Sequence, residues 1–154
     1  MTTSVTMMYG LGESSADRIE HLVRVRDLQA RTGGFTAFIC WPLQPEGTPG
    51  MSDRVKTDSV TYLRTLAMAR IICHNVPNLQ SSWVTMGLKV GQVALRFGAN
   101  DFGSLMMEEN VVSAAGTTYR ATIAEMERAI TDAGFQARRR RQDYSLVEEL
   151  AAVA

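Results

Sequence analysis

Between Ser4 and Tyr9 the chain is apolar or β-branched at almost every position and then meets Gly10 and Gly12, the signature of a buried strand that ends in a turn. The period then lengthens. Ser14, followed three residues later by Asp17, makes a capping-box-like start, and Ile19, Leu22, Val23, Val25 and Leu28 lay an apolar stripe along a helix that ends at Gly33 and Gly34. Residues 35–41 return to strand character and stop at Pro42; residues 44–50, with two prolines and two glycines, then predict a loop. Residues 59–75 are helical again, with Val60, Leu63, Leu66, Ala67 and Ile71 expected to face inward and Pro77 just beyond the end. A third strand is expected over 79–84, a third helix over 88–97 capped by Gly98, and a short apolar segment over 101–106 is a candidate fourth strand. A last amphipathic helix over 122–133, with Gly134 at its C-cap, leads into an extended piece at 135–139, and a short helix is expected from Leu146 onward.

Strand and helix in alternation predict an α/β protein with a parallel sheet and right-handed crossovers. No internal repeat or low-complexity segment interrupts the order, and the stretch between Pro42 and Arg54 is long enough for a lid or binding loop. At 154 residues the chain can bury a core of its own, but it falls well short of the roughly 250 residues of a whole (β/α)8 barrel. Its 16 Lys and Arg balance 16 Asp and Glu, so it has no basic surplus to draw a nucleic acid partner. The run from Arg138 to Arg141 is expected to be a solvated face and is assigned no function. The most apolar stretch, residues 66–73, is interrupted by Arg70, so no membrane partner is expected, and the N-terminal sequence lacks the regions of a signal peptide, which points to the cytoplasm. Cys40 and Cys73 are expected to be reduced and packed, with no metal-ligand pattern.

In parallel α/β folds, side chains just beyond the strands converge at one face, where the loops are free to vary. Those positions hold Tyr9, Gly10 and Glu13, then Trp41, Gln44 and Glu46, then Trp83, Thr85 and Gly87, with Asn100, Asp101, Glu108, Glu109 and Asn110 around the fourth segment. Aromatic faces mixed with amides and carboxylates suit a polar ligand that carries rings. Each has a plainer alternative: Trp41 and Trp83 as rim packing, residues 108–110 as a turn cap. His21 and His74 are expected to be structural. The sequence holds no phosphate loop, catalytic triad, His/Cys metal cluster or Gly-x-Gly-x-x-Gly run.

Several ordered blocks resemble one enzyme family. Thr6-Met7-Met8-Tyr9-Gly10, Asp17-Arg18-Ile19-Glu20-His21-Leu22 and Thr32-Gly33-Gly34-Phe35-Thr36-Ala37-Phe38-Ile39 are similar to late-barrel motifs shared by futalosine cyclases, aminofutalosine synthases and deazaflavin-cofactor synthases, all users of radical S-adenosylmethionine chemistry. Trp41-Pro42-Leu43-Gln44-Pro45, Gln80-Ser81-Ser82-Trp83-Val84-Thr85, and the blocks over 91–104 and 108–116 most resemble the dehypoxanthine futalosine cyclases, over a match from about Thr3 to about Tyr144. Two positions depart from that pattern, Leu11 where the family carries His and Cys40 where it carries Pro.

The resemblance implies that residues 1–144 form the C-terminal half of a (β/α)8 TIM-type radical S-adenosylmethionine barrel, with 145–154 as a tail. It implies conversion of dehypoxanthine futalosine to its cyclic product in menaquinone biosynthesis, with S-adenosylmethionine and a [4Fe-4S] cluster as cofactors. The Cys-x3-Cys-x2-Cys loop that holds the cluster is not in this chain, which is therefore expected to be inactive alone, a fragment completed by an N-terminal half or by self-association. By the same resemblance Tyr9, Trp41, Gln44, Trp83 and Thr85 are expected to face substrate, with Glu13 beside them, and Asn100, Asp101 and Glu109 to orient polar groups of substrate or S-adenosylmethionine. Two alternatives stay open: an aminofutalosine or deazaflavin synthase, and a non-catalytic half-barrel binding or assembly module. A half-barrel leaves strand edges unpaired, so marginal stability or self-association is expected.

Overall fold

Ser14 does open the first helix: its hydroxyl accepts from Asp17 N while the Asp17 carboxylate accepts from Ser14 N, and Gly33 closes the helix in the left-handed conformation. The computed structural model describes residues 2–105, 114 and 119–147. Its elements run β1 (Thr3–Tyr9), α1 (Ser15–Thr32), β2 (Phe35–Pro42), α2 (Ser59–Ile72), β3 (Asn78–Gln80), α3 (Trp83–Met86), α4 (Leu88–Ala94) continued by a 3-10 turn (Leu95–Phe97), and α5 (Ile123–Asp132). The strands form one parallel sheet in the order β1-β2-β3. Among the described residues no helix is long and apolar enough to cross a membrane.

Side-chain alternation decides which face of the sheet is covered. Met7 and Tyr9 of β1, Phe38 and Cys40 of β2 and Leu79 of β3 meet Leu22 and Val25 of α1 and Tyr62, Leu66 and Ala69 of α2 in one apolar cluster, extended by Trp83, Ala94, Phe102 and Met126. Each large side chain so enclosed contributes roughly 1.5–3 kcal/mol. Gln29, buried in α1, accepts from Phe35 N at 2.8 Å and donates to Phe35 O at 2.9 Å, tying the helix to the start of β2.

The structure departs from the expected pattern in six places. The inward stripe of α2 is Tyr62, Thr65, Leu66 and Ala69, whereas Val60 and Ile71 are 63% and 74% exposed; the helix is apolar on two sides and the sheet takes the one that carries Tyr62. On α1, Ile19 and Leu28 likewise lie at the surface while Leu22 and Val25 are buried. β3 ends at Gln80 instead of running to Val84, because Ser81 N donates to Asp101 O and Ser82 N to the Tyr62 hydroxyl, after which residues 83–86 turn helical. Asp101 makes a single parallel bridge to Gln80 and no fourth strand follows among the described residues. The basic run is not simply solvated: Arg139 pairs with Glu127 at 2.9 Å and Arg140 with Asp101 at 2.7 Å. Arg140 and Leu146 then face each other across a hairpin where a helix was expected to begin, and the residues after 147 lie outside the described part.

Candidate functional site

The strand register gathers a second set of side chains on the face turned away from the helices. Ser4 stands opposite Ala37 and Asn78, Thr6 opposite Ile39 and Gln80, and Met8 opposite Trp41. Met8 is 42% exposed, and Ile39, Trp41 and Gln80 are half-buried. An indole, a thioether, a hydroxyl and a primary amide on one open face can hold a flat ring by stacking while fixing its polar edge. Gln80 is steadied there by Gly103, whose missing side chain leaves room for the amide: a Cβ at that position would lie 2.9 Å from Gln80 Nε2.

Trp41 is the one expected substrate residue whose side chain belongs to this face. Tyr9 points the other way, into the core, with the Arg18 guanidinium 4.7 Å from its ring centre. Burial first, then the neighbouring Cys40 and Tyr62, raise its hydroxyl pKa well above the ordinary phenol value, so it stays protonated; it sits against Thr65 without a hydrogen bond of good geometry. Trp83 is 1% exposed and enclosed in the core, where it offers no ring face to a ligand. The Thr85 hydroxyl is buried and donates to Ser82 O at 3.0 Å. Gln44 is buried behind β2, its Nε2 donating to Pro42 O and Leu43 O.

The polar candidates shape backbone. Asn100 accepts from Leu79 N at 2.8 Å and from Arg70 Nη2 at 2.7 Å and donates to Pro77 O, locking the end of the 3-10 turn to β3. Asp101 is held by Arg140, Tyr144 and Gly103 N. Glu109 lies outside the described residues. What strand ends alone did not reveal is the row Thr6, Met8, Ile39 and Gln80; the two-residue period of β1 and β2 carries that signal, because Trp41 shares a face with residues two positions apart.

Glu13 anchors the turn after β1. Its carboxylate accepts from Gly10 N at 3.0 Å, Leu11 N at 2.8 Å and Arg18 Nε at 2.8 Å. Burial works to raise its pKa, but the backbone hydrogen bonds and Arg18 outweigh it and hold the group below the usual Glu value. A depressed folded-state pKa means stability that is present above the unfolded value and lost as pH falls through the folded one. Glu13→Gln is therefore expected to lose about 1–2 kcal/mol at pH 7 and to flatten the acid limb of a urea-midpoint profile between pH 5 and 3. An unchanged acid limb would remove Glu13 as the anchor.

Neither thiol is suited to hold metal. Cys40 and Cys73 are free and buried. Burial, the largest influence on each, pushes Cys40 up to about 12 and Cys73 up to about 11. Among the described residues no group of three or more His, Cys, Asp and Glu could hold a metal ion. The residues present do not fit an iron–sulfur cluster.

A family model described as the CofH/MqnC C-terminal region matches residues 32–153. Cyclic dehypoxanthine futalosine synthase of Halalkalibacterium halodurans is 48% identical over 147 residues, which cover 96% of this chain and 40% of that protein. The synthase of the same name from Streptomyces coelicolor is 48% identical over 129 residues, or 84% of this chain and 32% of that protein. The 5-amino-6-(D-ribitylamino)uracil–L-tyrosine 4-hydroxyphenyl transferase 1 of Methanosarcina barkeri is 39% identical over 158 residues, or 97% of this chain and 42% of that protein. The chain thus spans less than half the length of these relatives.

Proposed function

Because the chain belongs to the family of the CofH/MqnC C-terminal region, we propose that it is the later part of a (β/α)8 barrel that cyclises dehypoxanthine futalosine in the futalosine route to menaquinone. The open sheet face that carries Trp41 beside Met8, above Thr6, Ile39 and Gln80, is the observation that supports a substrate role. Trp41 stacks on a ring of the substrate, Thr6 and Gln80 meet its polar edge, and the apolar neighbours exclude water from it. S-adenosylmethionine and a [4Fe-4S] cluster belong to the remainder of such an enzyme, and no residue of this chain is given a part in holding the cluster.

The edge of β1 has no strand partner among the described residues. In a closed barrel that edge pairs with a preceding strand, which is how an N-terminal half would complete the site. The higher identity to the cyclic dehypoxanthine futalosine synthases than to the hydroxyphenyl transferase favours the cyclase over its deazaflavin-pathway relative.

The test is co-expression with the cluster-bearing N-terminal part of the Halalkalibacterium halodurans relative, anaerobic reconstitution, and assay with S-adenosylmethionine, a reductant and dehypoxanthine futalosine. Cyclic product from the pair and none from the chain alone is the expected result. Trp41→Ala should lower turnover at least tenfold, and Trp41→Phe, which keeps a ring, should lose much less. Product from the chain alone would overturn the reading, as would turnover indifferent to residue 41 or turnover only with the transferase's substrates.

A further inference from the structure

We propose that a cleft beyond the end of β1 is a binding subsite for the carboxylate of a small monoanionic ligand, with Arg54 as its principal donor. The cleft has a volume of about 450 Å³ and lies between the turn after β1 and the start of α2, lined by Gly10, Gly12, Glu13, Arg18, Arg54, Val55, Lys56, Thr57, Asp58 and Thr61. Three turns, closed by Thr48 N to Pro45 O, Met51 N to Thr48 O and Arg54 N to Met51 O, carry the long loop back across the molecule and set Arg54 over the β1 turn. There its Nη1 donates to Leu11 O at 2.6 Å. Gly12, at a φ of 106°, admits it; a Cβ on that residue would stand 3.1 Å from Nη1.

The two carboxylates of the cleft are already engaged. Glu13 is consumed by Gly10 N, Leu11 N and Arg18, and Asp58 caps α2 through Thr61 N at 2.6 Å. Lys56 leans outward to Glu46 at 3.4 Å. Among the described residues no carboxylate pairs with Arg54, whose guanidinium keeps donors beyond the one spent on Leu11 O. With Arg18 on Glu13 and Lys56 on Glu46, Arg54 is the lining cation left without a carboxylate among the described residues, a single charge that matches a carboxylate better than a phosphate dianion. Val55, 91% exposed, can cover an apolar body attached to that group.

The subsite does not rest on the proposed function, and its test needs no cluster, S-adenosylmethionine or turnover. The chain is titrated with benzoate and, separately, with inorganic phosphate. Amide shifts are followed by heteronuclear NMR, and the melting temperature is followed in parallel, since a ligand that binds only the folded state raises it. Benzoate is expected to move the amides of Gly10 to Glu13 and of Arg54 to Thr61 and to raise the melting temperature. Arg54→Met should weaken it at least tenfold, with Arg54→Lys in between, and either variant should lower the ligand-free melt by no more than the loss of the one exposed hydrogen bond to Leu11 O. No shift at either segment, equal binding by Arg54→Met, or tighter binding of phosphate than of benzoate would each overturn the subsite and leave the cyclase reading untouched.

Discussion

Asp101→Ala is expected to lower the unfolding free energy by about 3 kcal/mol, read as a fall in the urea midpoint with unchanged slope. The carboxylate is 9% exposed and receives a two-pronged bond from Arg140, at 3.0 Å from Nε and 2.7 Å from Nη2. Gly103 N at 3.1 Å and the Tyr144 hydroxyl at 3.2 Å fill its remaining acceptor positions. Removing the acid leaves the Arg140 guanidinium, 18% exposed, without its partner, and that desolvated charge is the larger part of the loss. Arg140 also lies 4.1 Å from the centre of the Tyr144 ring. Tyr144 adopts a φ of 68°, a conformation that costs a residue with a side chain about 1 kcal/mol; the clasp outweighs that strain. A double-mutant cycle of Asp101→Asn with Arg140→Met should return a coupling energy above about 1.5 kcal/mol. Additive losses would show that the hairpin is held by something else.

Gly91→Ala is expected to destabilise by about 2 kcal/mol even though alanine is the better helix former by about 1 kcal/mol. The new methyl would lie 2.8 Å from Trp83 Cβ, 3.2 Å from Phe102 Cζ and 3.3 Å from Ser81 Oγ. A Cβ is fixed to its backbone and cannot swing aside, so α4 must move away from α3 as a unit. That shift would strip cover from Trp83, which is 1% exposed. The checks are the denaturation midpoint and acrylamide quenching in a Trp41→Phe background, where Trp83 is the remaining indole. A midpoint at or above that of the parent would mean that the packing between α3 and α4 relaxes at no cost.

The amino-acid order alone determined the α/β class, the parallel sheet and most helix ends, because those depend on neighbours a few residues apart. Ser14 with Asp17, Gly33 and Gly98 carry their own local hydrogen-bond or φ requirements, and each appears where the pattern put it. The blocks around Trp41 and Gln80 likewise sufficed to place the chain in its family. Tertiary structure decided what local pattern leaves degenerate. α2 is apolar on two sides, so only the sheet could choose Tyr62 and Leu66 over Val60 and Ile71. β3 stops early because the Tyr62 hydroxyl and the Asp101 carbonyl, both distant in sequence, capture the amides of Ser82 and Ser81. Asp101 sits at a strand end and suggested a ligand contact, yet its charge is satisfied by Arg140, 39 residues on, a pairing that no short-range period encodes. Trp41 and Trp83 likewise follow strand residues in similar contexts, but the pleat turns one to the open face while a helical turn folds the other into the core. Whether a side chain turns to the open face or to the core thus follows from strand register and from the long-range hydrogen bonds that end β3, both of which the chain acquires only when it folds.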